Sequence, residues 1–480
     1  MSRIIVIGAG LAGLVAANRL ADAGAKVTLL TKGLGGLQLG QGTIDVLGYR
    51  PQRVTNPILE LSQSFGSTTP DPTTTIPDPT TTIPEPTTTI PEPTTTIPEP
   101  VEGSPTQASS SSANVVSGSA NVGRGSANMS GELVHPYAVI GADAVHEGLA
   151  YLLKIVPDLL VGDAEANYQL PTAVGAIRPT CLAQPSMIAG HAAAGRRFVI
   201  VGLRQLKDFH PKLIAQNLAR TDLPDGGRRT VRHLSVDLPA REPEVDSSGL
   251  TYARAFDDPA YRAKFASALK PLLAEGEIVG LPAVLGLKDA NAWRDVAERL
   301  GHQVFEIPLP PPSIPGMRLN EALTARATAA GVRLVPGVRT ITFRAADGRI
   351  AAVSIATAPA PREFEADAFV LATGGFESGA LALDSYGNVT ETLFGLPLAG
   401  AEGQLIHGDY WGAEQPLFKV GVAVDAGMRP LDANGVPVYS NLFAAGGIIG
   451  GSSRWAEKSG DGIALGSAVR AADEIAKEWA

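Results

Sequence analysis

The chain has 480 residues, of which 44% are hydrophobic, and a formal net charge of −9. This length allows two or three domains with a sizeable core, and an acidic balance without a basic stripe argues against nucleic-acid binding. The one cysteine, Cys181, excludes an internal disulfide and any four-cysteine iron–sulfur or zinc site, so we expect no metal centre. We find no signal-peptide pattern and no run of about 18 apolar residues, and we therefore expect a cytoplasmic protein without a membrane span.

The first 30 residues predict a strand–helix–strand unit. The apolar run Ile4–Ile7 is typical of a buried parallel strand, and apolar side chains then recur at helical spacing over residues 14–20. Gly24 is expected to end the helix in a left-handed conformation, and Lys26–Leu30 forms the second strand. The turn between the first strand and the helix has the pattern GxGxxG, which in this context predicts a dinucleotide or flavin site.

The three glycines of this turn have different expected tasks. Gly8 makes the tight turn, Gly10 lets the backbone approach a pyrophosphate, and Gly13 lets the helix pack closely on the strand. The helix N-terminus favours an anionic phosphate. The second strand ends in Thr31-Lys32 and not in the acid that usually holds the ribose of NAD, so the pattern favours a flavin over NAD.

Repeats begin at about Ser67, where a seven-residue unit such as PDPTTTI recurs and is followed by SAN triplets at the same period. Two prolines per unit forbid a helix, and the segment has too little apolar surface to fold. We expect 67–132 to be a disordered low-complexity insert, with a binding tether as the alternative. The remaining chain is expected to form a discontinuous flavin-binding domain, 1–66 and 316–480, and an α/β cap or substrate domain, 133–315.

The later part of the chain resembles flavoproteins of the two-dinucleotide-binding type. A helix, a strand and a hairpin precede the strand DAFVLATGG, a further strand ends in AAGG, and Gly460-Asp461-Gly462 opens a final amphipathic helix that Asp461 is expected to cap. The fold class that this order predicts is α/β, a Rossmann-like two-dinucleotide-binding flavoprotein fold with an inserted cap domain. The resemblance places beside the flavin a set of strand-end, loop and helix-start residues: Thr31, Lys32, Gly42, Thr43, Thr373, Gly374, Gly446 and Gly462.

The order of the interior motifs resembles one family, the B-type subunit of the anaerobic glycerol-3-phosphate dehydrogenase. The matching pieces are GAGLAGL, GQGTIDVLG, HPYAVIG, LPTAVGAIRPT, KDFHPKLIAQNL, LPAVLGL, PPSIPGMRL and NLFAAGGIIGG with AEKSGDG. The resemblance implies two partners, an FAD-containing A-type subunit and an iron–sulfur C-type subunit that tethers both to the inner face of the membrane. It also implies FMN as the cofactor, whereas a pyrophosphate-binding helix start favours FAD, and both stay open.

The reaction that the resemblance implies is oxidation of sn-glycerol 3-phosphate to dihydroxyacetone phosphate, with electrons passing through the partners to a quinone. It needs a base for the hydroxyl group and a cationic clamp for the phosphate. Each candidate has an ordinary structural role as its alternative. The candidate bases are His135, His210 and His407, and the candidate clamps are Arg178, in a segment rich in turn signals, and Arg454.

Three questions stay open from the sequence. The oxidation could take place in this subunit or in its partner. The chain could also be a stand-alone fumarate-reductase-like oxidoreductase, or a non-catalytic flavin-binding relay or scaffold subunit.

Heat or acid is expected to release the flavin from the purified protein. Some fumarate-reductase-like flavoproteins hold their flavin covalently through a histidine in the loop after the second strand, and this chain has no histidine between Lys32 and Tyr49. Absorbance of the supernatant after precipitation measures the release. Colour retained on the precipitated chain contradicts non-covalent binding.

Overall fold

The computed structural model describes residues 1–33, 35–65, 133–222, 229–358, 360–409 and 412–479. The predicted low-complexity insert, 67–132, lies outside the described residues, so its disorder stays a prediction. The helices of the described residues are α1 (Leu11–Asp22), α2 (Pro57–Phe65), α3 (Pro136–Ile140), α4 (Ala142–Ile155), α5 (Pro211–Arg220), α6 (Gly249–Phe256), α7 (Pro259–Leu269), α8 (Ala292–Leu300), α9 (Ile314–Ala329), α10 (Arg454–Glu457) and α11 (Gly460–Trp479).

The strands include every one that the sequence predicts. They are β1 (Arg3–Ile7), β2 (Lys26–Thr31), β3 (Tyr49–Arg50), β4 (Gln52–Arg53), β5 (Val161–Gly162), β6 (Tyr168–Pro171), β7 (Ile177–Thr180), β8 (Leu182–Ala183), β9 (Arg197–Leu203), β10 (Thr230–Val236), β11 (Ile278–Pro282), β12 (Val304–Ile307), β13 (Arg333–Pro336), β14 (Thr340–Ala346), β15 (Arg349–Ile355), β16 (Arg362–Glu365), β17 (Ala368–Leu371), β18 (Leu381–Leu383), β19 (Val389–Glu391) and β20 (Leu442–Ala444).

A parallel sheet with the strand order β13-β2-β1-β17-β20 forms the centre of the flavin-binding part. Its inner strands are buried over most of their length, as is usual for the strands of a parallel sheet. Val6 pairs with Leu29 of β2 on one side and with Val370 of β17 on the other. Because parallel strands end at the same edge, the segments that follow β1, β17 and β20 come together there. This sheet confirms the predicted α/β, Rossmann-like class.

Helices α1, α4 and α11 belong to the same hydrophobic core as this sheet. Helix α11 packs against α1 and also against α4, and its buried residues include Ile463, Leu465 and Val469. Leu149 and Leu152 of α4 lie in this core with them. Residues 137–182 therefore contribute to the core of the flavin-binding part.

A second parallel sheet, with the order β10-β9-β11-β12, has a core of its own. Buried residues of this core run from Ile177 to Ile314. The hydrophobic cores thus divide the described chain at about residue 183, whereas the sequence analysis placed the start of the cap domain at 133. The domain boundaries stay a prediction, and we propose to move the start of the cap to the segment after β8.

A buried ion pair joins the second sheet to the flavin-binding part. Glu306 of β12 is 2% exposed and accepts from Arg318 of α9, with a distance of 2.7 Å between Arg318 Nη1 and Glu306 Oε2. Arg318 Nη1 also donates to Gln184 Oε1, and Gln184 Nε2 donates to the carbonyl oxygen of Pro315 at 2.8 Å. This network fixes where the cap sheet lies relative to α9.

Replacing Gly13 with alanine is expected to lower the free energy of unfolding by about 1–3 kcal/mol. A β-carbon at Gly13 would lie 1.8 Å from the carbonyl oxygen of Gly8, so β1 and α1 would have to move apart. Thermal unfolding of the flavin-free protein measures the loss. Gly36→Ala is the matched control, since a β-carbon at Gly36 meets no described atom within 4 Å; equal losses in the two variants contradict the packing role of Gly13.

Candidate functional site

The turn between β1 and α1 packs tightly against the protein at Gly8 and has open space beside Gly10. Gly8 has φ +111°, and a β-carbon there would lie 2.2 Å from the carbonyl oxygen of Ala372. A β-carbon at Gly10, in contrast, would meet no described atom within 4 Å. Gly10 is the N-cap residue of α1, and no side chain caps the helix there. The turn therefore has open space beside the amide groups of a helix start, as a bound phosphate requires.

The end of β17 contributes a hydroxyl group to the same edge of the sheet. Thr373 Oγ1 is buried and lacks a hydrogen-bond partner among the described residues, which is costly unless a ligand supplies one. Gly374 follows with φ +81°. Gly446, after β20, has φ +76°, and a β-carbon there would lie 2.8 Å from the β-carbon of Ala12 in α1. Gly446 is thus a position of close packing. The Thr373 hydroxyl group is available for a hydrogen bond with a ligand.

Thr31 and Lys32 lie at the end of β2. The Thr31 hydroxyl donates to the carbonyl oxygen of Gly33 and accepts from the Gly33 amide at 3.3 Å, while Lys32 is exposed. The threonine therefore stabilises its own turn, and its predicted contact with the cofactor stays a prediction.

The loop that contains Gly42 and Thr43 is held against the start of α9. Gly42 has φ +71°, and a β-carbon there would lie 2.4 Å from the carbonyl carbon of Pro315. Gln184 Nε2 donates to the Gly42 carbonyl oxygen at 3.3 Å. Thr43 is 9% exposed. This loop is thus held in place by contacts with two other segments, the start of α9 and Gln184.

A buried ion pair follows directly in this loop. Asp45 is 2% exposed, and its Oδ2 accepts from Nε of Arg178 at 2.5 Å. Burial raises the pKa of Asp45, and the neighbouring Arg178 opposes that increase. Arg178 comes from β7, which pairs with β6 as a hairpin, although the sequence analysis interpreted this segment as turn and loop. Since Asp45 already neutralises it, Arg178 is a poor candidate for the phosphate clamp.

The first turn of α11 meets this pair. Asp461 Oδ2 accepts from the Asp45 amide at 3.1 Å, so the predicted helix cap is corrected to a contact that holds the loop. Burial, followed by the charge of Asp45, raises the pKa of Asp461 to about 7. Burial, followed by the nearby Arg178, lowers the pKa of Lys458. A β-carbon at Gly462 would lie 2.2 Å from the Tyr137 hydroxyl oxygen, so this glycine makes room for a side chain of the protein.

His135 has structural contacts on both ring nitrogens. Nδ1 accepts from the Tyr137 amide at 3.1 Å and caps α3, and Nε2 lies 3.1 Å from Glu457 Oε2. Glu457 in turn accepts from the Ser459 hydroxyl and from the Ser453 amide. His135 therefore holds α3 against α10. Both of its ring nitrogens have protein contacts, and its role as a base stays an untested prediction.

Arg454 lies beside two of the glycine-rich strand ends. Its Nη1 donates to the carbonyl oxygen of Gly447, and a β-carbon at Gly375 would lie 3.2 Å from its Nη2. Burial lowers the pKa of Arg454, and the charges of Glu377 and Glu457 oppose that decrease. No carboxylate of the described residues lies within ion-pair distance of its guanidinium group. A half-buried cation at this edge of the sheet is available to an anionic ligand.

The remaining histidine candidates lie elsewhere. His407 keeps Nε2 buried and without a partner among the described residues, while its Nδ1 lies 3.2 Å from Gln415 Nε2. His210 is exposed and caps α5, next to the second sheet, without a side-chain hydrogen bond. The structure thus brings His135, Arg178 and Arg454 to the region around α10. Among the described residues, His210 and His407 make no contact with that region.

Sequence reasoning missed Asp45, Lys458 and, in its actual role, Asp461. All three stand in motifs that carry the family resemblance, GQGTID and AEKSGDG. Acids inside glycine-rich segments were the available signal. Their closeness follows only from the packing of α11 on the 41–48 loop. No group of His, Cys, Asp or Glu side chains suited to a metal ion occurs in the part of the chain that the structure describes.

Comparison with known proteins agrees with this geometry. Residues 3–69 and 104–463 match the family described as FAD binding domain. The chain belongs to this family. The family supports FAD as the flavin, which is also the cofactor that the glycine motif favours. The open space beside Gly10 and the unpartnered Thr373 hydroxyl group fit FAD.

Relatives of known name match almost the whole chain. The probable B subunit of an anaerobic glycerol-3-phosphate dehydrogenase from Halobacterium salinarum is 28% identical, over 99% of this chain and 98% of the relative. The B subunit of the anaerobic glycerol-3-phosphate dehydrogenase of Pectobacterium carotovorum is 26% identical over the same shares. Among solved structures, the open conformation of a flavocytochrome c3 fumarate reductase aligns with a TM-score of 0.40 and 11% identity, over 99% of this chain and 78% of that one. In the described residues no helix has the length and apolar character to cross a membrane.

Replacing Gly10 with valine is expected to abolish flavin binding with little effect on the flavin-free fold. The backbone of Gly10 is extended, with φ −77° and ψ −174°, a conformation that valine adopts readily. Its branched side chain would occupy the open space beside the helix start. Flavin content per chain and the melting temperature of the flavin-free protein are the two measurements; normal flavin content removes this placement of the site.

Proposed function

We propose that this chain is the flavoprotein B subunit of an anaerobic glycerol-3-phosphate dehydrogenase. The observation that supports this most strongly is the match to relatives of that name over 99% of the chain. In this proposal sn-glycerol 3-phosphate is oxidised to dihydroxyacetone phosphate, and a quinone receives the electrons through partner subunits. The coarser statement, a flavin-dependent dehydrogenase, already follows from the family and from the relatives' names.

The charges around α10 support a phosphate-bearing substrate. Arg454 and Lys458 each use one N–H on a carbonyl oxygen, of Gly447 and of Trp455 respectively, and neither has an ion pair among the described residues. Two cations without carboxylate partners, next to the flavin segments, attract a dianionic phosphate. We therefore propose Arg454, with Lys458, as the clamp, in preference to the neutralised Arg178.

Bound FAD supplies the acceptor for the hydride. The protein's own residues bind and orient: the start of α1 and Thr373 toward the cofactor, Arg454 and Lys458 toward the phosphate. Arg178 holds the 41–48 loop in place through Asp45. Orientation of this kind is worth several orders of magnitude in rate.

The partners are proposed to be an FAD-containing A-type subunit and an iron–sulfur C-type subunit. Electrons leaving a buried flavin for a membrane quinone need a relay, and a chain with one cysteine supplies no cysteine-ligated cluster. We propose that these partners also hold the protein at the inner face of the cell membrane.

Glycerol-3-phosphate:quinone activity is expected to be negligible for the isolated chain and to appear on co-expression with A-type and C-type subunits. Reduction of a menaquinone analogue by membranes from cells with and without the partners measures this. The matched control is co-expression of the Gly10→Val variant, which is expected to lack bound flavin. Quinone reduction by the purified chain alone contradicts the subunit role and supports a stand-alone dehydrogenase. Unchanged substrate oxidation in the control supports a relay or scaffold role.

A further inference from the structure

Helix α10 and the residue after it carry both cations of the proposed phosphate clamp. The helix is a single turn, Arg454–Glu457, and isolated helices of fewer than about 12 residues are marginal in water. Lys458 follows it with φ +55°, a left-handed conformation that is unfavourable for a residue with a β-carbon. Contacts with other segments must therefore fix where the two cations lie.

The Glu457 side chain makes most of these contacts. Its Oε1 accepts from the Ser453 amide at 3.1 Å. Its Oε2 accepts from the Ser459 hydroxyl at 2.8 Å and lies 3.1 Å from His135 Nε2. The Glu457 carbonyl oxygen also accepts from the Gly48 amide at 2.8 Å. One residue thus joins both ends of the α10 turn to the start of α3 and to the 41–48 loop.

His135 is held in place on the other side of this contact. Its Nδ1 accepts from the Tyr137 amide at 3.1 Å, so the proton of the neutral ring lies on Nε2 and is donated to Glu457. The Phe65 ring stacks on the imidazole with 4.4 Å between the ring centroids. The two side chains are mostly buried, with 16% of His135 and 23% of Glu457 exposed. Water therefore competes little for the hydrogen bond between them.

The arrangement around Glu457 requires a carboxylate. Ser453, Ser459 and His135 all act as donors toward it, and a carboxylate offers acceptor sites on both of its oxygens. An amide side chain at this position would offer one acceptor oxygen and would turn an NH2 group toward a donor. Burial acts to raise the pKa of Glu457, but the hydrogen bond with His135 opposes it and the pKa is lowered, so the group is ionised near neutral pH.

The negative charge of Glu457 by itself works against the binding of a phosphate. The charges of Glu377 and Glu457 both act on Arg454. A carboxylate near a cation weakens the attraction of that cation for an anionic ligand. The charge of Glu457 is thus unfavourable for the clamp, whereas its hydrogen bonds hold the segment that carries the clamp.

From these contacts we propose that Glu457, through its hydrogen bond with His135, is the positioning residue of the phosphate clamp. This inference rests on the proposed function. Glu457 fixes α10 against α3 and the 41–48 loop, and thereby fixes the backbone that carries Arg454 and Lys458. Both cations are partly exposed and so can be reached by a ligand. Because the role of Glu457 is to place these cations, its loss weakens substrate affinity more than it slows the chemical step.

Glu457→Gln separates positioning from charge, because the two roles predict opposite signs. Loss of the negative charge alone strengthens phosphate binding, whereas loss of the α10 contacts weakens it. We expect the Kd of inorganic phosphate, measured by titration calorimetry on the purified flavin-loaded chain, to rise about 10-fold. In the co-expressed complex the KM for glycerol 3-phosphate is expected to rise by a similar factor, with kcat changed less than about 3-fold. An unchanged or lower Kd overturns the positioning role.

Glu377→Gln is the matched control. Glu377 is exposed and its charge also acts on Arg454, but its Oε1 accepts from the Gly375 amide at 3.1 Å and not from α10. A glutamine keeps an acceptor for that amide, so this variant is expected to leave the Kd of phosphate unchanged or to lower it. An equal rise of the Kd in the Glu377 and Glu457 variants contradicts a specific role of the Glu457 contacts.

His135→Asn tests the same hydrogen bond from its other end, and it replaces Glu457→Gln if that variant fails to fold. Asparagine keeps an acceptor for the Tyr137 amide and is a good helix cap, but it removes the imidazole N–H that Glu457 accepts. We expect the same rise of the Kd, and no larger rise in the double variant, because both changes remove one contact. Additive rises overturn the pair. Loss of kcat at an unchanged KM also overturns it and supports His135 as the base.

Wild type gives outcomes that separate this role from the proposed function. If it binds inorganic phosphate but the complex does not oxidise glycerol 3-phosphate, the proposed function fails, and the Kd values of the variants still decide the positioning role. If wild type does not bind inorganic phosphate, the clamp and the positioning role are both overturned, whether or not the complex oxidises glycerol 3-phosphate.

Discussion

The parallel pairing of β1 with β2 and β17 is the constraint on which the flavin site depends. Parallel strands end at one edge, so the Gly8–Gly13 turn, Thr373 and Gly446 arrive together although they are far apart in the chain. The close approach of α1 to this edge requires that Gly13 and Gly446 lack a β-carbon. The same packing leaves the position beside Gly10 open. One sheet edge thus combines tight protein contacts with open space at a helix start, a combination suited to a phosphate.

The second half of the site depends on helix α11. Its first turn meets the 41–48 loop, and the contact of Asp461 with the Asp45 amide joins them. Burying Asp45 is costly, and Arg178 offsets that cost only because β7 places it at hydrogen-bond distance. Buried ion pairs of this kind often stabilise a fold no more than well-packed apolar residues of similar size do. In this protein the Asp45–Arg178 pair holds the 41–48 loop against β7.

The cap sheet is held by a different buried pair. Arg318 bridges Glu306, Gln184 and the carbonyl oxygen of Gly286, so all of its N–H groups point at protein acceptors. Gln184 also donates to Gly42. The position of the cap and the shape of the loop beside the flavin are therefore coupled through one amide side chain. Arg454 is the contrasting case, since no carboxylate of the described residues lies within ion-pair distance of it.

The sequence by itself determined the fold class, the elements of the central sheet and the glycine turn, because these follow from local periodicity and from the steric needs of glycine. It also indicated the family, through short motifs in a fixed order. It did not predict the β6–β7 hairpin, because turn residues there hid two short strands, nor the start of the second core near residue 183. Only the tertiary structure decided which charges are neighbours. Asp45, Arg178 and Asp461 are separated by more than a hundred residues at each step, and their pairing depends on how α11 and β7 pack on one loop. That packing neutralises Arg178 and leaves Arg454 available, a distinction that no local pattern contains.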